Sequence, residues 1–165
     1  SAATIGARFD TVTLCLSKGL GCPLGALVAG SAERMARARR YKHLFGGAMR
    51  QAGIVAAAGV YALDHHVERL ADDHARARRL AEGWQAAGVP VDLEQVETNF
   101  VQVDVAPLGL TKAEALTRLA EAGVGLSTTI HPTRLRAVTH LDVTDDDVER
   151  ALELVPRALG TLVRA

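Results

Sequence analysis

The chain has 165 residues, 48% of them hydrophobic, and its 19 basic side chains are balanced by 19 acidic ones. That length fills about one domain, or one small domain plus part of another, at roughly 100–150 residues each. Zero formal net charge gives no bulk attraction to a polyanion, so composition speaks against a nucleic-acid or membrane-surface role, and no apolar run approaches the roughly 20 residues that span a bilayer.

In chain order, Thr11 to Leu16 is an apolar, β-branched run that breaks at Ser17-Lys18-Gly19, after which Gly21, Pro23 and Gly25 punctuate the backbone. A second apolar run, Leu24 to Ala29, ends at Gly30. Two short strands around a glycine-rich turn predict a central sheet buried on both faces. Ser31 caps a helix over 32–43, with Met35 and Ala38 on one face, and helix resumes near Met49. From Val67 to Trp84 apolar positions recur at threes and fours, His74 among them, which predicts a long amphipathic helix stopped by Gly88 and Pro90.

Beyond this break the units shorten. We expect a strand from Asn99 to Val105, a helix from Leu110 to Ala122, strands near Val124–Ser127 and Leu135–Thr139, and a last helix striped by Val148, Ala151, Leu152, Val155 and Leu159. Thr111 with Glu114 reads as a capping box, and Thr144 with Asp147 as a weaker analogue. Strands covered by helices make an α/β sandwich the natural reading of residues 88–165.

The chain has three lysines, Lys18, Lys42 and Lys112. Lys42 and Lys112 sit on helices and should face water, whereas Lys18 ends an apolar strand. Burial there would disfavour the ammonium and expose the amine lone pair that attacks a carbonyl, the condition of a Schiff-base lysine. On position alone, a lysine that snorkels or pairs with an acid at a strand end is the commoner outcome.

Three segments carry a resemblance. Phe9-Asp10-Thr11-Val12-Thr13-Leu14-Cys15-Leu16-Ser17-Lys18-Gly19-Leu20-Gly21-Cys22-Pro23-Leu24-Gly25 resembles the cofactor-lysine segment of the low-specificity threonine aldolases. Gly46-Gly47-Ala48-Met49-Arg50-Gln51-Ala52-Gly53 is similar to that family's G-G-G-M-R-Q-x-G stretch, and Leu135 to Val143 to its R-x-V-T-H-x-D-V stretch. The departures are Ala48, where the family has a third glycine, and His43, where it commonly has lysine.

The resemblance implies a pyridoxal-phosphate (PLP) lyase of aspartate-aminotransferase fold type I that cleaves threonine, or a related β-hydroxy-α-amino acid, to glycine and an aldehyde. It implies the C-terminal half only: the end of the large PLP-binding domain with its connecting helix over 1–87, and a small C-terminal α/β domain over 88–165. By the same resemblance Lys18 binds PLP covalently and Arg136 grips the substrate carboxylate. Arg50 lies near the cofactor phosphate, supplied from a neighbouring subunit of a homodimer or homotetramer. Ser17 could hydrogen-bond the phosphate, with a turn-forming serine as the simpler account. For Arg136 the plain alternative is a fold-level ion pair, and for Arg50 an interface or helix-capping arginine. Gly46 and Gly47 could bring backbone amides to a phosphate or simply break a helix.

No metal site is expected. His65 and His66 point about 100° apart on a helix and cannot share an ion as an i, i+4 pair could. His74 reads as a core or interface residue, His140 as a structural hydrogen bonder, Trp84 as core, and Cys15 and Cys22 as small buried hydrophobes. The arginine-rich stretch from Arg34 to Arg40 reads as a solvated helix face. Residues 1–8 lack a signal-peptide pattern and two cysteines make no disulfide framework, so a cytoplasmic setting is expected. The chain opens at Ser1 without an initiator methionine, and we expect a piece of a longer protein that is inactive when isolated. The alternatives are another fold-type-I PLP enzyme, such as an aminotransferase or β-eliminating lyase, and a non-catalytic assembly domain.

Overall fold

The structure, a computed structural model, describes residues 1–161. Backbone contacts divide the chain between Glu68 and Arg69 into two compact units.

In the first unit a short helix α1 (Ala2–Gly6) precedes strands β1 (Thr11–Cys15) and β2 (Ala26–Gly30), followed by helices α2 (Ala32–Leu44) and α3 (Gly53–His65). The two strands pair antiparallel, with Thr11 opposite Gly30 and Cys15 opposite Ala26. The expectation of a sheet buried on both faces does not hold within this chain. Val12, Leu14, Leu27 and Val28 are all exposed, because the sheet has two strands and too little of the unit packs on it. An apolar β-branched run specifies a strand; it does not specify what covers it.

Ser31 caps α2 by accepting a hydrogen bond from the Arg34 amide at 3.3 Å, and Arg34 also pairs with Asp10. Gly46, at φ 76°, ends the helix, and the Gly47 amide donates to the Lys42 carbonyl at 2.7 Å. Helix resumes at Gly53 rather than near Met49. Between them Gln51 takes φ 51°, a left-handed conformation that interrupts helix for a residue with a Cβ.

The second unit holds α4 (Leu70–Ala86), β3 (Phe100–Asp104), α5 (Lys112–Glu121), β4 (Ser127–Thr128), β5 (Arg134–Val138) and α6 (Asp145–Leu159). The sheet order is β3-β5-β4, antiparallel throughout. Side chains alternate across it: Val101, Val103, Leu135 and Ala137 are buried, whereas Gln102, Asp104, Arg134 and Arg136 lie on the opposite, partly open face. The buried face meets a core that includes Trp84, Leu119 and Val155. Burial of such side chains contributes roughly 1.5–3 kcal/mol each. A Cβ on Gly83 would lie 2.3 Å from Cδ2 of Leu152, so the close approach of α4 to α6 depends on that glycine.

Both capping boxes form in full. Thr111 and Glu114 start α5, and Thr144 and Asp147 start α6 just as completely. On α4 the core alternative for His74 does not hold: His74 is exposed, and Asp73 beside it is the buried residue. Lys112 also departs from a purely solvated lysine, since its Nζ donates to the carbonyls of Thr129 and His131 at 3.0 and 2.9 Å. Among the described residues no helix is long and apolar enough to cross a membrane.

Candidate active site

Lys18 stands in a closed loop at the end of β1. The Leu16 amide donates to Gly25 and the Cys22 amide to Leu16, at 3.0 and 3.1 Å, and within them the Gly21 amide donates to the Lys18 carbonyl at 2.8 Å. Leu16, Leu20 and Cys22 are buried and anchor the loop, while Ser17 and Lys18 point outward and are exposed. Two longer-range bonds tie the loop to the α3 region. His66 donates through Nδ1 to the Leu20 carbonyl at 2.7 Å, and the Cys22 thiol donates to the Ala58 carbonyl at 3.5 Å. A Cβ on Gly59 would meet Cδ1 of Leu16 at 3.1 Å, so α3 comes this near to the loop because residue 59 has no side chain.

The buried strand end expected for Lys18 is therefore absent from this chain. The reason is the thin two-stranded hairpin, which anchors the loop through its neighbours and leaves the lysine uncovered. Cys15 also corrects its expectation. It is only half-buried, and its Sγ lies 3.5 Å from Oγ of Ser17. The hydrogen bond with Ser17 draws the thiol below its ordinary range, against a smaller opposing effect of desolvation, and the Ser17 backbone and the Lys18 charge add to the lowering. The sequence placed a thiol two residues before a hydroxyl, but only the turn brings the two together.

Arg50 is exposed in the irregular segment between α2 and α3, next to Gln51. In the neighbouring glycine pair, the Gly47 amide is committed to the end of α2, which favours the helix-break reading at that position.

Arg136 lies on β5 in the second unit, on the sheet face turned away from the core. Its Nε donates to Oγ of Ser127 at 3.3 Å, and its guanidinium carbon stands 5.0 Å from the centroid of the Phe100 ring. Ser127 and Gln102 are its direct cross-strand neighbours. Arg134, two residues earlier, is occupied differently: it reaches Asp104 at 3.9 Å and donates to Oε1 of Gln95 at 3.2 Å. The fold-level ion pair considered for Arg136 thus falls to Arg134 instead. Phe100 and Ser127 were not legible as partners of Arg136, since cross-strand register decides both contacts.

Of the predicted site residues, the structure brings Ser17 and Lys18 together in one loop and sets Arg50 in another segment of the same unit. Arg136 belongs to the second unit. Among the described residues no group of three or more His, Cys, Asp or Glu side chains is placed to hold a metal ion.

Comparison with known proteins defines the class first. A solved structure of SPT with its PLP internal aldimine matches 98% of this chain with a TM-score of 0.71 at 19% identity, and the match covers 43% of that chain. The fold is that of the PLP-dependent fold-type-I enzymes. The beta-eliminating lyase family model matches residues 1–107, and the chain belongs to that family. It is 42% identical over 139 residues to the low specificity L-threonine aldolase of Escherichia coli K12, covering 84% of this chain and 40% of that protein. With low-specificity L-threonine aldolase 1 of Arabidopsis thaliana it shares 36% identity over 154 residues, 93% of this chain and 43% of the relative. The chain thus spans about two fifths of the length of these curated relatives.

Proposed function

We propose that this chain is part of a PLP-dependent carbon–carbon lyase that cleaves threonine, or a related β-hydroxy-α-amino acid, to glycine and an aldehyde. The observation that supports it most is Lys18 itself, presented by an anchored glycine-rich loop inside the segment matched by the family model.

The donor types suit the cofactor. Lys18 offers a primary amine for an aldehyde, the adjacent Ser17 a hydroxyl for a phosphate oxygen, and Arg50, reaching a neighbouring subunit's site, a guanidinium for phosphate charge. Bound PLP supplies an electron sink for the pair released when the Cα–Cβ bond breaks. The chain's own residues do the rest. Arg136 binds the substrate carboxylate through its terminal nitrogens, which fixes the amino acid by its unreacting end. Lys18 Nζ would hold the cofactor through its primary amine.

The end of the large PLP-binding domain, with its connecting helix, is taken to run through residue 87 and the small domain from 88. A homodimer or homotetramer in the cytoplasm, with Arg50 serving a neighbouring subunit's site, completes the reading. Because Ser17, Lys18 and Arg50 are all exposed here, the chain alone does not exclude water from its reactive groups, and the isolated 165 residues are expected to be inactive.

A product assay on the full-length protein that carries this chain tests the reaction. Equal amounts of glycine and acetaldehyde from threonine are expected, and Lys18→Ala abolishes both. A keto acid without glycine would overturn the aldolase reading in favour of a related PLP chemistry.

A further inference from the structure

We propose that Ser127 and Phe100 are positioning residues that set Arg136 to receive a carboxylate end-on, through Nη1 and Nη2 together. The inference rests on the reading of Arg136 as the carboxylate binder and goes beyond it.

The hydrogen-bond pattern of Ser127 assigns its proton. Its hydroxyl donates to the Arg136 carbonyl at 3.3 Å, and the same oxygen accepts from Arg136 Nε at 3.3 Å. With the hydroxyl hydrogen committed to the backbone, the lone pairs are what face the guanidinium. The Ser127 and Arg136 positions are direct cross-strand partners, so the sheet ladder holds both ends of this small ring.

A guanidinium can receive a carboxylate in two bidentate ways, side-on through Nε and one Nη, or end-on through both Nη groups. Ser127 occupies Nε and removes the first. Phe100 acts on the other degree of freedom. Its ring lies under the guanidinium at 5.0 Å, a cation–π contact that limits rotation about the side-chain torsions. Among the described residues the two terminal nitrogens of Arg136 have no hydrogen-bond or ion-pair partner, whereas the neighbouring Arg134 is bound to Asp104 and Gln95. A long, flexible cation is thereby held in one orientation with its planar fork open, which lowers the ordering cost when a carboxylate docks.

Steady-state kinetics of threonine cleavage by the full-length protein separate this from the underlying reading. Arg136→Ala raises KM steeply if Arg136 binds the carboxylate. Ser127→Ala and Phe100→Leu then raise KM roughly two- to tenfold with kcat nearly unchanged, and Ser127→Thr and Phe100→Tyr keep the wild-type KM. Normal KM in S127A and F100L beside a raised KM in R136A overturns the positioning role alone. Loss of kcat that S127T and F100Y do not rescue also overturns it, since that marks a structural defect. A wild-type KM in R136A overturns the carboxylate reading and this inference with it.

A second measurement needs no substrate. In nitrogen-15 NMR of the 165-residue chain, the Arg136 Nε–H signal is expected to exchange slowly with water in the wild type and S127T, and quickly in S127A. Fast exchange in the wild type contradicts the inference whatever the kinetics show.

Discussion

The hydroxyl of Thr139 donates to the backbone carbonyl of Asp73 at 2.6 Å, with both residues buried. The bond ties the end of β5 to α4, and Asn99 completes the junction. Its Nδ2 donates to the Thr139 carbonyl at 2.8 Å, and its own carbonyl accepts the Thr139 amide at 3.0 Å. Thr139→Val keeps the shape and removes the donor; the Asp73 carbonyl keeps its helical partner within α4, so the loss is that of one buried hydrogen bond, about 0.5–1.5 kcal/mol. Trp84, the one tryptophan of the sequence, is in the core of the same unit. Urea unfolding followed by its fluorescence should show the lowered midpoint with an unchanged slope.

Asp73 itself is fully buried, and its carboxylate is held by both terminal nitrogens of Arg69, one turn earlier. Arg69→Ala strands that carboxylate without its partner, and a buried charge so exposed to low dielectric costs about 3 kcal/mol. The same fluorescence measurement should find Arg69→Ala more damaging than Thr139→Val. Equal or smaller loss would mean that water reaches Asp73.

Acid should weaken the second unit through its two capping boxes. Glu114 is held below the ordinary carboxylate range by the Thr111 amide and then the Thr111 hydroxyl. Asp147 is lowered likewise by the Thr144 hydroxyl and then its amide. Folding favours the ionised form of each, so their stabilisation is complete above the unfolded pKa of about 4 and drains as pH falls through the lower folded values. Thr111→Ala with Thr144→Ala should therefore lower stability at pH 7 and flatten its decline below about pH 4, as read from unfolding midpoints against pH.

Cys15 should be the faster-reacting thiol of the two. Its thiolate is favoured by Ser17, and it is half-buried, whereas Cys22 is buried and donates to Ala58. Alkylation rate against pH, read peptide by peptide, should give Cys15 a midpoint below that of a free thiol. Ser17→Ala should move that midpoint upward; no movement would mean that the turn does not hold the two side chains together in solution.

Much of the fold was legible because its signals are local. The T-x-x-E of Thr111 and Glu114, the cap at Ser31 and the stop at Gly88 and Pro90 each act within a few residues, and each element appears where they place it. Phase along α4 was harder. The sequence put His74 on the apolar stripe, whereas the helix buries Asp73, a charged residue that the interior accepts through its pair with Arg69. The cover of β1 and β2 was not legible, since apolar alternation reports a side chain's preference and not the surface it meets. At the candidate site, Arg50 and Arg136 came from motif resemblance, Lys18 from its place at a strand end together with that resemblance, and Ser17 from its place beside the lysine. Phe100, Ser127 and the Cys15–Ser17 pair depend on register and turn geometry, which no short motif encodes.

Lys18 is proposed as the lysine that binds PLP. Borohydride reduction of the full-length protein mixed with pyridoxal phosphate, followed by peptide mass mapping, tests it most directly. A reduced phosphopyridoxyl label confined to Lys18 is expected. Label on Lys42 or Lys112 with Lys18 unmodified, or no label at all, would contradict it.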